Sequence, residues 1–188
     1  MRKLSQAEWL EGAFEALCEG GIDALRVEPL ASRLGVTKGS FYHHFENRRS
    51  LHLAMLDEWE RLGTAEIIDE VDEPPRDTVE RLHALAGRIF ASPRRVDDIE
   101  VAIRAWAIVD EVAAASVDRV DVRRVDYVAA LLRECGFAGP LAKRRARMLY
   151  RVLIGEFTWR SSGGPAMSDR EIDELVVLVM SDPAEHRR

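Results

Sequence analysis

The sequence predicts an all-α fold of about nine helices: an N-terminal three-helix domain containing a helix-turn-helix, then a larger C-terminal helical bundle. Three observations predict it. Apolar residues recur at three- and four-residue spacing through almost every segment. No stretch alternates as a half-buried strand would. Ser, Asn, Gly and Pro fall where helix caps and breaks belong.

Each helix has its own signal. Ser5 followed by Glu8 reads as a capping box, with Leu4 and Trp9 placed for a hydrophobic staple. Behind that cap, Leu10, Ala13, Phe14, Leu17 and Cys18 form one stripe, and Gly20-Gly21 ends the helix. A short second helix puts Val27, Leu30, Ala31 and Leu34 on one face and tolerates Pro29 in its first turn. Gly35 is placed as its C-cap and Thr37 as the N-cap of a third helix. Asn47 caps a long fourth helix that runs to about Glu70, before the break "EPPRD" at 73–77. The next stripe, Leu82, Leu85, Ala86, Ile89 and Phe90, stops at "SPRR", 92–95. Further helices cover roughly 96–110 and 112–135, and the last two about 141–160 and 168–181, on either side of the "SSGGP" turn.

A composition of 47% apolar and 32% charged residues is that of a globular chain with a real core. No apolar run is long enough to span a membrane, and no signal-peptide stretch follows the N-terminus, so a cytoplasmic protein without a membrane partner is expected. Cys18 and Cys135 belong to no CxxC and are expected buried and reduced.

Charge is unevenly spread. The chain carries −6, yet residues 1–52 hold seven charges of each sign, so the rest carries the whole excess. Between Arg26 and His52, five basic residues face two acids, Glu28 and Glu46. A basic corner on an acidic chain points to a local partner of negative charge. The third helix lies in that corner. On a helical wheel Phe41 and Phe45 mark the core side, and His43 points away from it, flanked by Gly39 and Ser40 with Tyr42 and His44 at the shoulders. Small and hydrogen-bonding residues suit close approach to base edges in a major groove. Arg48 and Arg49 stand in the first turn of the fourth helix, where the dipole disfavours cations unless a phosphate lies there.

The stretch "GIDALRVEPLASRLGVTKGSFYHHFENRRSLHLAML" resembles the N-terminal domain of the TetR family of transcriptional regulators. Leu30-Ala31, Leu34-Gly35-Val36, Lys38-Gly39-Ser40-Phe41-Tyr42, His44-Phe45 and Leu51 carry the likeness. The resemblance implies DNA contacts at Thr37, Lys38, Gly39, Ser40, Tyr42 and His43, and a phosphate contact at Arg48; His44, at the shoulder of the same face, is counted with the DNA contacts. It also implies a homodimer on a palindromic double-stranded operator, and a repressor released by a small-molecule effector. Leu25 and Arg26 depart from the pattern, standing where the family has a capping Thr or Ser; Arg26 is free to reach a phosphate instead. The domain boundary is placed at 46/47, with 1–46 the DNA-binding domain and 47–188 the dimerisation and ligand-binding domain.

In the C-terminal part, "ARMLYRVLIGEFTW" and "IDELVVLVM" are apolar on more than one face, leaving surface for a second copy. Met148, Val152, Leu153, Phe157, Leu175, Val176 and Val179 are the expected interface, and Gly155 would allow close approach. His83, Phe90, Trp106 and Tyr127 are candidates for an effector pocket, and Trp59 is placed either to pack between the two parts or to line it. The effector is expected to be apolar or aromatic, because 53–188 carries 26 acids against 20 bases. Glu80-x-x-His83 has the spacing of half a di-iron site, but its second ExxH is missing. No GxSxG, HExxH or phosphate-cradling loop occurs, so neither an enzyme nor a cofactor is expected. A helical interaction module that does not answer an effector is the rival reading.

Overall fold

A computed structural model describes residues 4–73, 76–91 and 94–181. The elements are α1 (Gln6–Gly20), a 3-10 turn (Ile22–Leu25), α2 (Val27–Arg33), α3 (Lys38–His44), α4 (Arg48–Glu60), α5 (Glu66–Asp72), α6 (Thr78–Phe90), α7 (Arg94–Ala107), α8 (Glu111–Glu134), α9 (Gly139–Ser161) and α10 (Asp169–Met180). A π-helical turn, Arg61–Ala65, joins α4 to α5, so 48–72 is one helical stretch. The described residues contain no strand. The expected breaks at 73–77 and 92–95 include 74, 75, 92 and 93, which lie outside the described residues.

Two of the three N-caps read from sequence, Ser5 and Asn47, are present; Thr37 holds the third position without a side-chain cap bond. Ser5 accepts from the Glu8 amide while Glu8 reaches back to Ser5, and Leu4 and Trp9 are both buried. Asn47 accepts from the Ser50 amide at the start of α4. Two further capping boxes, Asp77 with Glu80 and Ser168 with Glu171, start α6 and α10. Glu80 is therefore a helix cap, accepting from the Asp77 amide at 3.1 Å. Its i+3 neighbour His83 faces Asp173, 3.3 Å from Nδ1.

The chain forms two compact units, Met1–Leu62 with Asp98–Asp118, and Gly63–Asp97 with Arg119–Arg188. In the first, Trp9, Ala13 and Leu17 of α1, Leu25, Leu30, Phe41, Leu51 and Met55 are almost wholly buried. Glu100 is buried in the same unit and doubly engaged. It accepts from Trp59 Nε1 at 2.9 Å and from Arg104 at 2.8 Å. Cys18 is exposed rather than buried, because it sits at the outer edge of the α1 stripe. Cys135 is half-buried, and burial pushes its thiol pKa up.

In the second unit, α6 lays Leu82, Leu85, Ala86 and Phe90 against the core, and α8 contributes Val125, Val128, Ala129 and Leu132. Leu153, Phe157 and Val176 are buried here too, at 5%, 6% and 4% exposure. That corrects the expected dimer surface. These three serve the chain's own core, and the outward side chains are Met148, Val152 and Trp159 on α9 and Val177 and Leu178 on α10. Leu175 and Val179 are half-buried.

The π turn frees backbone oxygens from the regular ladder, and Arg124 answers one of them. It donates to the Gly63 carbonyl (3.0 Å) and the Thr64 hydroxyl (2.9 Å). A second arginine, Arg160, lies almost fully buried with Asp97, 2.7 Å away, and also donates to the Phe90 carbonyl at the end of α6. Without Asp97, buried Arg160 is left with the longer contact to Glu156, 3.7 Å from Nε. Asp97→Ala should cost about 3–5 kcal/mol, read by urea unfolding followed by circular dichroism.

Candidate nucleic-acid interface

Two local devices set the angle of α3. Leu34 closes α2, and Gly35 follows at φ +67°, a conformation most side chains avoid. The Gly35 amide then bonds to the Ser32 carbonyl and the Val36 amide to the Ala31 carbonyl, which is a Schellman turn. The second device is aromatic. Phe41 is fully buried, its ring 5.5 Å from Trp9 edge-on and 5.3 Å from Phe45. Both phenylalanines point inward, as the wheel predicts.

The opposite face is open. Thr37, Lys38, Gly39, Tyr42 and His43 are exposed and Ser40 is partly so, with Tyr42 at 59%. A Cβ at Gly39 would meet only the Thr37 hydroxyl, at 3.6 Å. Packing therefore does not require glycine there, although it costs about 1 kcal/mol of helix propensity. A surface that must approach another molecule closely does require it. Thr37 holds the N-cap position of α3, but its side chain makes no cap bond, which leaves the hydroxyl outside the helix.

Other expected contacts are placed differently. His44 is half-buried, its Nε2 2.7 Å from the Leu4 carbonyl, so that nitrogen ties the N-terminal segment to α3 rather than facing outward. Lys38 pairs with Glu28, whose carboxyl it holds below the usual range. Both groups are exposed, and a pair in water is weak enough for a phosphate to displace. Arg26 is exposed at the start of α2 and makes no cap bond there. Arg48 is half-buried; it donates to the Ile22 carbonyl at 2.7 Å and to His52 Nε2 at 3.2 Å. Sequence reasoning missed His52, although its place four residues after Arg48 on one helix face was the signal.

Two of the four expected pocket residues are closed off in the core, and His83 and Tyr127 are half-buried. Phe90 and Trp106 are core side chains at 0% and 2% exposure. Trp106 belongs to the first unit, where its ring meets His52 edge-on at 4.9 Å. Tyr127 and His83 belong to the second. Tyr127 donates to Asp72 at 2.5 Å, and burial with that bond pushes its pKa up to about 12. An apolar crevice in the second unit, walled by Leu82, Leu85, Ile89, Leu149, Val176 and Val179, has room for about 10 Å³. That is one water.

A short buried-faced helix, a Schellman turn and an open polar α3 define a helix-turn-helix domain. Residues 10–55 match the family model described as bacterial regulatory proteins, tetR family. That match covers the helix-turn-helix segment and the start of α4. Solved structures share its fold across nearly the whole length. A transcriptional regulator from Rhodococcus sp. Rha1 is 18% identical with a TM-score of 0.77, over 96% of this chain and 100% of that one. Salmonella enterica GusR is 15% identical at 0.70, over 95% and 99%. AibR, solved with isovaleryl coenzyme A and operator DNA, is 20% identical at 0.70, over 92% and 96%. No curated protein matches the chain in sequence.

His52 carries a pH signature. Burial, then the Arg48 charge, pull its pKa from 6.5 to about 4, with Asp110 opposing. The folded value lies below the unfolded one, so the unfolded chain takes up the proton first. Stability is then lost as pH falls from about 6.5 towards 4 and is unaffected above that window. Between pH 7 and pH 5 the melting temperature should fall further in the wild type than in His52→Gln, measured by circular dichroism.

Proposed function

We propose that the chain is a homodimeric, sequence-specific DNA-binding transcriptional regulator that acts as a repressor and leaves its operator when a small effector binds. The observation that carries the reading is the open face of α3. It gathers Thr37, Lys38, Gly39, Ser40, Tyr42 and His43 on a helix whose other side is anchored by Phe41. Arg48, Arg49 and Arg26 stand nearby in sequence as phosphate partners. The negative balance of 53–188 keeps the rest of the chain off DNA.

One α3 reads only a few base pairs, too few to single out a site among the roughly 10⁶ or more in a genome. A twofold dimer doubles the reading and makes the operator palindromic. The surface for it is the stripe Met148, Val152, Gly155 and Trp159 on α9, with Val177 and Leu178 on α10; these five large side chains are 39–67% exposed. A Cβ at Gly155 would meet nothing, so two copies of α9 can approach there.

The effector is an apolar or aromatic small molecule. AibR has been captured with an acyl coenzyme A thioester and operator DNA together, which makes effector response a natural expectation for a chain of the same fold. The crevice walled by α6, α9 and α10 is apolar but holds only a water, so entry requires these helices to part.

Selection of duplexes from a random pool tests the reading, with a palindrome as the expected product. On that product His43→Ala should relax preference at one position per half-site by about 1–3 kcal/mol. Met148→Glu combined with Leu178→Glu should give a helical monomer by light scattering, with affinity for the palindrome down roughly tenfold or more.

A further inference from the structure

Arg48 occupies the first turn of α4, where the helix dipole disfavours a cation. Among the described residues it has no carboxylate partner. It is secured instead by two neutral acceptors, His52 Nε2 at Nε and the Ile22 carbonyl at Nη2. Those two hydrogens form the side edge of a guanidinium. The end edge, with one hydrogen on Nη1 and the second on Nη2, makes no hydrogen bond among the described residues. So no carboxylate is bonded to the group, it is fixed along one side, and a two-pronged donor edge remains, the geometry that matches a phosphate.

His52 cannot do this alone. Its ring must be neutral at Nε2 to accept, and its plane must be held. The edge of Trp106, 4.9 Å away and inclined by 75°, supplies the backing, and both residues lie in the first compact unit. We propose that His52, backed by Trp106, is a positioning residue for DNA: it holds Arg48 along one edge so that the other grips a backbone phosphate. The inference rests on reading this domain as DNA-binding. A guanidinium already held loses less side-chain freedom when the phosphate arrives, which is the physical gain.

Phosphate contacts are independent of sequence, so duplex DNA of mixed sequence is the probe, titrated across salt concentrations. His52→Leu should weaken binding by about threefold to tenfold and flatten the slope of log affinity against log salt by about one. His52→Gln, whose side-chain oxygen can accept from Nε–H, should retain most of both. Arg48→Ala with His52→Leu should bind no more weakly than Arg48→Ala alone, because one interaction is being removed twice. An unchanged slope in His52→Leu, or a further loss in the double variant, overturns the positioning role and leaves the DNA-binding reading intact. Wild-type protein without salt-dependent binding overturns both. If His52→Leu fails to fold, the wild type still decides: NMR should show the Arg48 Nε–H exchanging slowly with water, and fast exchange overturns the bond itself.

Discussion

A helix of seven residues has no stability of its own in water, since nucleation consumes most of what so few hydrogen bonds return. That constraint governs the N-terminal unit. α3 exists because Phe41 is enclosed by Trp9 and Phe45. The Schellman turn at Gly35 delivers the chain to the right starting point. Once α3 depends on a single buried ring, its other face is released from packing duty. Glycine, hydroxyls and imidazole can then be chosen there for contact with something else.

Polar groups buried in each unit add specificity of arrangement. Glu100 receives bonds from both Trp59 and Arg104, which places a long α4 side chain and an α7 carboxylate in one geometry. Asp97 and Arg160 do the same in the second unit, with Arg160 also closing the C-terminal end of α6. Apolar packing alone is tolerant of small slippage, whereas a buried charge pair is satisfied in one register.

Local signals were legible in the sequence and long-range ones were not. Ser5, Asn47 and Gly35 announced their roles because caps and turns depend on neighbours a few residues away. Phe41 and Phe45 followed from helical period. The period of α9 and α10 shows two apolar faces without saying which is turned inward, and so Leu153, Phe157 and Val176 were assigned to the wrong side. Phe90 and Trp106 were drawn into a pocket for a similar reason: an aromatic on a stripe looks the same whether it lines a cavity or fills one. The Arg48 contact with the Ile22 carbonyl and the Arg124 contact with the π turn join residues far apart in the chain. No spacing rule encodes them. Glu80 is the opposite case: Asp77-x-x-Glu80 is a local cap pattern, and it accounts for this glutamate where the ExxH spacing does not.

Gly12 sits inside α1, and a Cβ there would lie 2.5 Å from the Leu34 side chain, which closes α2. A side chain at position 12 would have to push the end of Leu34 aside, at the point where the chain prepares to enter α3. A genetic screen for loss of DNA binding would recover substitutions at position 12 beside those on the open face of α3. They would carry the same phenotype without ever meeting a base or a phosphate. Mapping such a screen onto the linear sequence would place a false contact in the first helix; only heat sensitivity of the position-12 alleles would tell the two groups apart.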